Sequence, residues 1–294
     1  MDKDIKMKRT SIPLDVKEFL RAEVGFGCPA ENCGSPYLEY HHFDPPVHIR
    51  PHNEKGGMIA LCAVHHAKAD GGAYNNEQLH KFKENKVNSE LVKGNLDYLR
   101  NKLLAIVGGN YYYDTEDIIE IDGMKIISLR RDADGYLRLY AKIPSMMPEE
   151  RLVIDGHSWE KIGKPDDLRS PPQGKELEVR YRNGDYLYLR FGVIKTHDEA
   201  KIKYGIEILD QLGVEYPVTT LEINLKIADT PINLEAKSTK IGGSNIRGST
   251  IKNGIKLRTN IDWLQNKIYY GYTFNRKPIY YSNKNFQKVH FVQY

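Results

Sequence analysis

Cys28, Cys33 and Cys62 are the only cysteines in the chain, and with His65 they form a C-x4-C … C-x2-H set. Those ligand types, at those short within-pair spacings, are the donors of a structural zinc site. Such a site commits the residues around it to one fold, because in small metal modules binding the ion and folding are a single event. Zn²⁺ is therefore the expected structural cofactor. With every cysteine assigned to it, a reducing compartment is expected rather than a disulfide framework.

Two histidine pairs accompany these knuckles, His41–His42 in LEYHHFDPP and His65–His66 in LCAVHHAKAD. With His65 given to zinc, His41, His42 and His66 remain, and folding alone does not account for them. Seven of the ten histidines fall within residues 1–86, a clustering that points to metal chemistry. Leu38 to Phe43 and Met58 to Leu61 read as short strands. The segment between them reads as a loop, because Pro45, Pro46 and Pro51 remove ladder donors and Gly56–Gly57 permits a tight reversal. His48 and His52, in that loop, read as surface polar side chains. From Cys62 the chain should turn into a helix. Adjacent helical residues diverge by about 100°, so His65 can face the zinc while His66 faces the opposite wall.

At these residues, over roughly 10–85, the sequence resembles the HNH nuclease family, whose ββα-metal core consists of a His-bearing strand, a loop, a second strand and a short helix. The resemblance implies an N-terminal ββα-metal module with two zinc knuckles, Cys28/Cys33 and Cys62/His65. It implies that His42 is the general base, and that His41 and His66 are ligands of a catalytic divalent cation such as Mg²⁺ or Mn²⁺. The family's middle Asn, five residues before the second knuckle's cysteine, is here Gly57, and Asn53 is the nearest substitute. Arg50 and Lys55 in the loop, and Lys68 beyond His66, are the expected phosphate contacts. Two imidazoles favour Mn²⁺, Co²⁺, Ni²⁺ or Zn²⁺ over the oxygen-preferring Mg²⁺, which remains usable if waters and phosphate complete its shell.

The 294 residues suffice for two domains. Net charge is only +4, and residues 1–86 carry 12 basic against 12 acidic side chains. The chain is no polycation, and any grip on nucleic acid must come from local patches, chiefly in the remainder. Residues 1–11 are polar and basic and read as a solvated tail. Pro13 should open a helix with Leu14, Val16, Phe19 and Leu20 on its apolar side, ending near Gly25. Asn75 or Asn76 should cap a further helix through Phe82. No apolar run approaches a membrane span and the N-terminus lacks the apolar region of a signal peptide, so a cytoplasmic protein without membrane contact is expected.

In residues 87–106, Leu91, Val92, Leu96, Leu99, Leu103 and Ile106 recur at mostly helical spacing, with Gly108–Gly109 as a stop. This predicts a connector helix over 87–109, with a homodimer seam as its alternative use. Residues 110–294 then read as a mostly antiparallel β domain for recognition or regulation, giving an α+β chain overall. Hairpins are expected across DADG and across Asn183–Gly184, and a helix through Ile202, Ile206, Leu209 and Leu212. Seventeen of the twenty tyrosines lie after residue 86. In the second hairpin Tyr181, Tyr186 and Tyr188 alternate with Arg180, Arg182 and Arg190, read first as strand formers and alternatively as a base-stacking surface. KIGGS-NIRGS-TIKNG at 240–254 suggests a β-solenoid-like turn or an ordered glycine-rich loop, and the tail IYYGYTF … PIYYSNKNFQKVHFVQY suggests closing strands.

The expected function is metal-dependent hydrolysis of phosphodiester bonds in DNA, with RNA left open. Nucleases of this kind joined to an unfamiliar domain suggest restriction or anti-phage defence. The alternatives are a zinc-stabilised nucleic-acid-binding module without catalysis, which Gly57 favours, and a mobile-element homing nuclease.

Overall fold

The computed structural model describes residues 11–98, 100–161, 163–204, 212–241, 244–246, 249–258 and 290–291. The chain is α+β and mostly β. It divides into two units, Met1–Val92 and Lys93–Tyr294.

In the first unit Pro13, whose missing N–H costs nothing at a helix start, precedes α1 (Leu14–Glu23). Val16 and Leu20 are buried, but Leu14 and Phe19, expected on the same side, are exposed. β1 (Leu38–His42) and β2 (Met58–Cys62) pair antiparallel, with His41 opposite Ile59 and His42 opposite Met58. β2 is buried along its whole length and forms the centre of the unit's apolar core with Val16, Leu20, Val24, Leu38, Phe43 and Leu79. α2 (Ala63–Asp70) follows β2 directly. α3 (Asn76–Glu84) starts at a reciprocal capping box, in which the Asn75 side chain accepts the Gln78 N–H and the Gln78 side chain accepts the Asn75 N–H. Lys83 on α3 is half-buried and donates to Glu23 (2.7 Å) and to the carbonyls of Lys55 (2.9 Å) and Met58 (2.6 Å), so one ammonium ties α1, α3 and the start of β2 together.

The second unit is built on two sheets. One has eight strands in the spatial order His290–Phe291, Ile255–Arg258, Asp117–Ile121, Met124–Arg131, Leu137–Lys142, Val153–Asp155, Ser158–Glu160 and Lys93–Asn95. In the other, Glu176–Tyr181 and Tyr186–Ile194 form the hairpin across Asn183–Gly184 and pair onward with Val218–Lys226. Pairing is antiparallel except where Leu103–Val107 joins Val218–Lys226, Ser249–Ile251 joins Asn110–Tyr113 and Ile255–Arg258 joins Asp117–Ile121. α4 (His197–Tyr204) packs with Ala200 inward.

The connector helix expected over 87–109 does not form. Its place is taken by a single 3-10 turn (Ser89–Leu91) and two strands, Lys93–Asn95 and Leu103–Val107. The apolar residues that gave a helical spacing include LLAIV, a continuous run buried on both faces of a sheet, and periodicity alone cannot distinguish such a run from a helix. Gly94 packs against the Trp159 ring, where a Cβ would come within 2.5 Å, so this position belongs to a strand passing close to an indole. The helix offered as an alternative dimer seam is therefore not there to serve as one.

Two further expectations change. Ile202 points to solvent, 87 % exposed, while Leu212 is buried; Ile206 and Leu209 lie outside the described residues. Around 240–254, Ser238–Ile241 and Ser244–Ile246 pair antiparallel with each other rather than stacking as parallel solenoid rungs, while Ser249–Ile251 pairs parallel with Asn110–Tyr113. Most of the tail, 259–289 and 292–294, also lies outside the described residues.

Candidate metal centre and histidine cavity

The first knuckle folds back on itself through short backbone bonds, Cys28 N–H to Ser35 O (2.8 Å), Gly34 N–H to Cys28 O (3.1 Å) and Cys33 N–H to Ala30 O (3.0 Å). Cys62, at the end of β2, and His65, on the first turn of α2, meet it. Cys28 Sγ lies 3.4 Å and Cys62 Sγ 3.2 Å from His65 Nδ1, and Cys33 Sγ lies 3.8 Å from Cys62 Sγ. Tetrahedral Zn–S and Zn–N bonds of about 2.3 and 2.05 Å require S···S edges near 3.8 Å and S···N edges near 3.6 Å. The four donors thus already outline the coordination shell of one structural metal ion such as zinc. Burial pushes the Cys28 and Cys33 thiols above their ordinary range, with neighbouring thiolates adding to the effect, so these sulfurs are thiolates only with a cation among them.

One residue along α2 the surroundings change completely. His66 Nδ1 lies 3.2 Å from Asp70 Oδ2, one helical turn later, and 3.8 Å from Glu39 Oε2. From β1, His41 Nδ1 reaches Asp70 Oδ1 at 3.1 Å, and the two imidazoles meet edge to face with centroids 5.2 Å apart. His41, His66 and Asp70 each offer one donor atom to this second cluster. The 3.1 Å separation reaches Oδ1 and the 3.2 Å one reaches Oδ2, so both imidazoles flank one carboxylate, and one donor atom from each of the three residues lies within 4.8 Å of the others, close enough to share a cation. Burial, and next the charge of His66, hold the His41 imidazolium below its ordinary range, keeping its ring neutral and able to donate a lone pair. Asp70 was not among the site residues expected from sequence; the signal for it was its i, i+4 relation to His66.

His42, next on β1, does not point at Asp70. Its Nε2 lies 3.0 Å from the His52 carbonyl, and since a carbonyl only accepts, the imidazole donates there. In the neutral ring this puts the proton on Nε2 and the lone pair on Nδ1. His41, His42, His52, His66 and Asp70 line one cavity of about 370 Å³ with Tyr40, Val47, Pro51, Ser11 and Ile12.

No protein-family model matches the chain, and neither does any curated protein or solved structure.

The three expected phosphate contacts lie elsewhere, and none is among the residues lining the cavity. Arg50 is exposed and pairs with Glu54 at 2.7 Å. Lys55 lies over the Phe19 ring of α1, 4.9 Å from its centroid, and 3.6 Å from Asp15. Lys68 is exposed on α2. Gly57 also has a local cause: its carbonyl accepts both the Phe43 and Asp44 N–H groups, and a Cβ there would fall on the Asp44 carbonyl oxygen. No side chain fits at that position. Asn53 does not replace one, since its buried Oδ1 has no hydrogen-bond partner among the described residues. The expectation that His52 is a surface side chain is likewise corrected, for it is 8 % exposed. In the β unit, Tyr186 donates to Glu178, Arg180 lies 3.9 Å from Asp167, and Tyr181 is buried with its hydroxyl accepting the Leu152 N–H.

Proposed function

We propose that the first unit is a metal-dependent endonuclease of HNH type that hydrolyses phosphodiester bonds in DNA. The observation that carries this reading is the meeting, in one cavity, of three residues able to hold a cation and a histidine whose Nε2–H donates to a backbone carbonyl. Hydrolysis of a phosphodiester needs a deprotonated water, neutralisation of the charge that builds on phosphorus, and help for the departing 3′ oxygen. His42 Nδ1 takes the water's proton, a task suited to an imidazole near neutral pH. His41, His66 and Asp70 hold a divalent cation, which when bound supplies the neutralisation and leaving-group assistance. Asp70 lies between the two imidazoles with one carboxylate oxygen toward each Nδ1, which places it to complete that ligand set. Glu39 adds negative charge beside His66. The zinc set takes no part in the chemistry and keeps α2 against the hairpin. The β unit serves recognition or regulation, and restriction or anti-phage defence is the proposed setting.

The placement of Arg50, Lys55 and Lys68 away from the cavity favours a second reading, a zinc-stabilised binding module without catalysis. Cleavage of supercoiled plasmid by the wild type and by His42→Ala and His66→Ala, in EDTA, Mg²⁺ and Mn²⁺, separates the two. Metal-dependent cutting that falls about 10²- to 10⁴-fold in a folded, zinc-replete His42→Ala supports the nuclease. An inert wild type that keeps zinc and binds the plasmid supports the binding module.

A further inference from the structure

In the β unit, strand register lines up the chemistry of one sheet face. Six strands lie side by side in the order Glu176–Tyr181, Tyr186–Ile194, Val218–Lys226, Asn233–Glu235, Ser238–Ile241 and Ser244–Ile246. Val179, Leu187, Leu225, Leu234 and Thr239 face one another across five of them and are buried. Successive strand residues point to opposite faces. Arg180, Tyr186, Lys226, Asn233, Lys240 and Asn245 therefore form one line on the outer face, each opposite the next. A strand spacing of about 4.8 Å puts Lys226 and Lys240 about 10 Å apart and makes the line from Arg180 to Lys240 about 19 Å long. Lys226, Lys240 and Asn245 are exposed, and neither lysine makes an ion pair among the described residues. Lys226 stands between Tyr186 and Asn233, and Lys240 between Asn233 and Asn245. The acids of this face lie in the next rows and already hold partners. Glu176 and Glu178 pair with Arg169, Glu222 accepts Lys203 of α4, and Glu235 accepts the Asn233 amide. At the Arg180 end the following strand sets the buried Asp167 opposite, 3.9 Å away.

We propose that this line is a docking strip for the phosphate backbone of duplex DNA: Lys226 and Lys240 neutralise two phosphates, and Asn245 donates to the backbone beside them. The choice of DNA rests on the nuclease reading; the strip itself does not. A face that only needed solvating would gain from opposite charges set across neighbouring strands. Here both lysines stand between neutral, hydrogen-bonding side chains instead, which leaves their charge for a polyanion whose own charges recur every few ångströms. Tyr186 offers no stacking platform, being half-buried with its hydroxyl on Glu178, and that favours a duplex over a single strand, whose bases need rings to stack on. Contacts of this kind position the nucleic acid without reading its sequence.

The test is fluorescence anisotropy of a short labelled duplex with the full-length, zinc-loaded chain, without added Mg²⁺ or Mn²⁺, over a series of KCl concentrations. Each neutralised phosphate contributes about 0.9 to the slope of log K against log salt. Lys226→Gln with Lys240→Gln should therefore flatten the slope by about 1.8 and weaken binding about 10- to 100-fold near 0.1 M salt, whatever the duplex sequence. If the double variant does not fold, each single change, with about 0.9 in slope, decides. Lys195→Gln with Lys201→Gln removes the same charge from exposed positions of the same unit off the line, and should leave slope and affinity at the wild-type values. A strip variant with the wild-type slope, a control that loses as much as the strip, or a wild type that binds no duplex overturns the proposal. So does a strip variant that keeps the duplex but loses phosphatidylserine vesicles, since the line would then be a lipid surface. Plasmid cutting is scored separately. A wild type that binds with this slope and cuts nothing removes the nuclease reading and leaves the strip, whereas cutting with an unchanged slope in the variant removes the strip alone.

Discussion

Asp185 in the β unit is fully buried, and its carboxylate is the acceptor for four donors. Oδ2 takes Ser145 Oγ–H (2.5 Å), Arg151 Nε–H (2.9 Å) and Asn183 Nδ2–H (2.9 Å), and Oδ1 takes the Ala228 N–H (2.9 Å). Arg151, itself buried, gives its remaining hydrogens to the carbonyls of Glu149 and Glu150 and to Asn183 Oδ1, and its guanidinium lies over the Tyr181 ring at 4.4 Å. Asp185→Ala therefore leaves an interior guanidinium whose remaining counter-ion is the exposed Glu149 carboxylate, 3.6 Å from Nη1, and three further donors without that acceptor. Breaking a buried pair from one side costs about 3–5 kcal/mol, a large part of the 5–15 kcal/mol that holds a typical domain together. Removing both charges at once should cost much less, because no ion is then stranded. Urea titration followed by tryptophan fluorescence suits the question, since both tryptophans, Trp159 and Trp263, belong to this unit. The expected order of stability is wild type, then Arg151→Met with Asp185→Ala, then Asp185→Ala alone. A single variant that loses less than about 1 kcal/mol, or a double variant as unstable as the single one, would refute the reasoning.

Cys62→Ala, or zinc removal by a strong chelator, should unfold the first unit and leave the tryptophan-reported transition of the second in place; zinc content with far-UV circular dichroism checks it. Asp70→Asn should weaken Mn²⁺ binding by about 10- to 100-fold while zinc stays at one per chain, read by calorimetry and metal analysis. Burial holds His157 below its ordinary value; its Nδ1 accepts the Leu139 N–H at 2.8 Å and its Nε2 donates to the Tyr98 carbonyl at 3.3 Å. The neutral ring thus contributes stability that is fully present above the unfolded pKa of about 6.5 and is lost as pH falls through the lower folded value. Urea midpoints of the β unit should decline below about pH 6.5, and His157→Asn, which tolerates the positive φ there, should flatten that decline. Asn75→Ala should cost about 1 kcal/mol in the first unit by removing the side chain that accepts the Gln78 N–H.

What the sequence determined by itself was local and chemical. Three cysteines and a histidine at short spacings specify a metal set; a 100° step along a helix sends His65 and His66 to different neighbours; Asn75 with Gln78 specifies a helix start, and Asn183–Gly184 a hairpin. Each depends on residues close in the chain or on an ion that gathers them. What only the tertiary structure decided depends on groups brought together from a distance or on burial. LLAIV has the same apolar spacing in a helix and in a doubly covered strand, and its pairing with Val218–Lys226 settles the matter. Gly57 looked like a lost side chain until the Asp44 carbonyl was found against it. The partners of His52 were equally invisible in the sequence, for the chain path alone brings the Pro45 carbonyl and the Glu54 amide within reach of its imidazole. Main-chain carbonyls and amides carry no signature in a sequence, so the partners that orient a histidine emerge only when the backbone has folded around it.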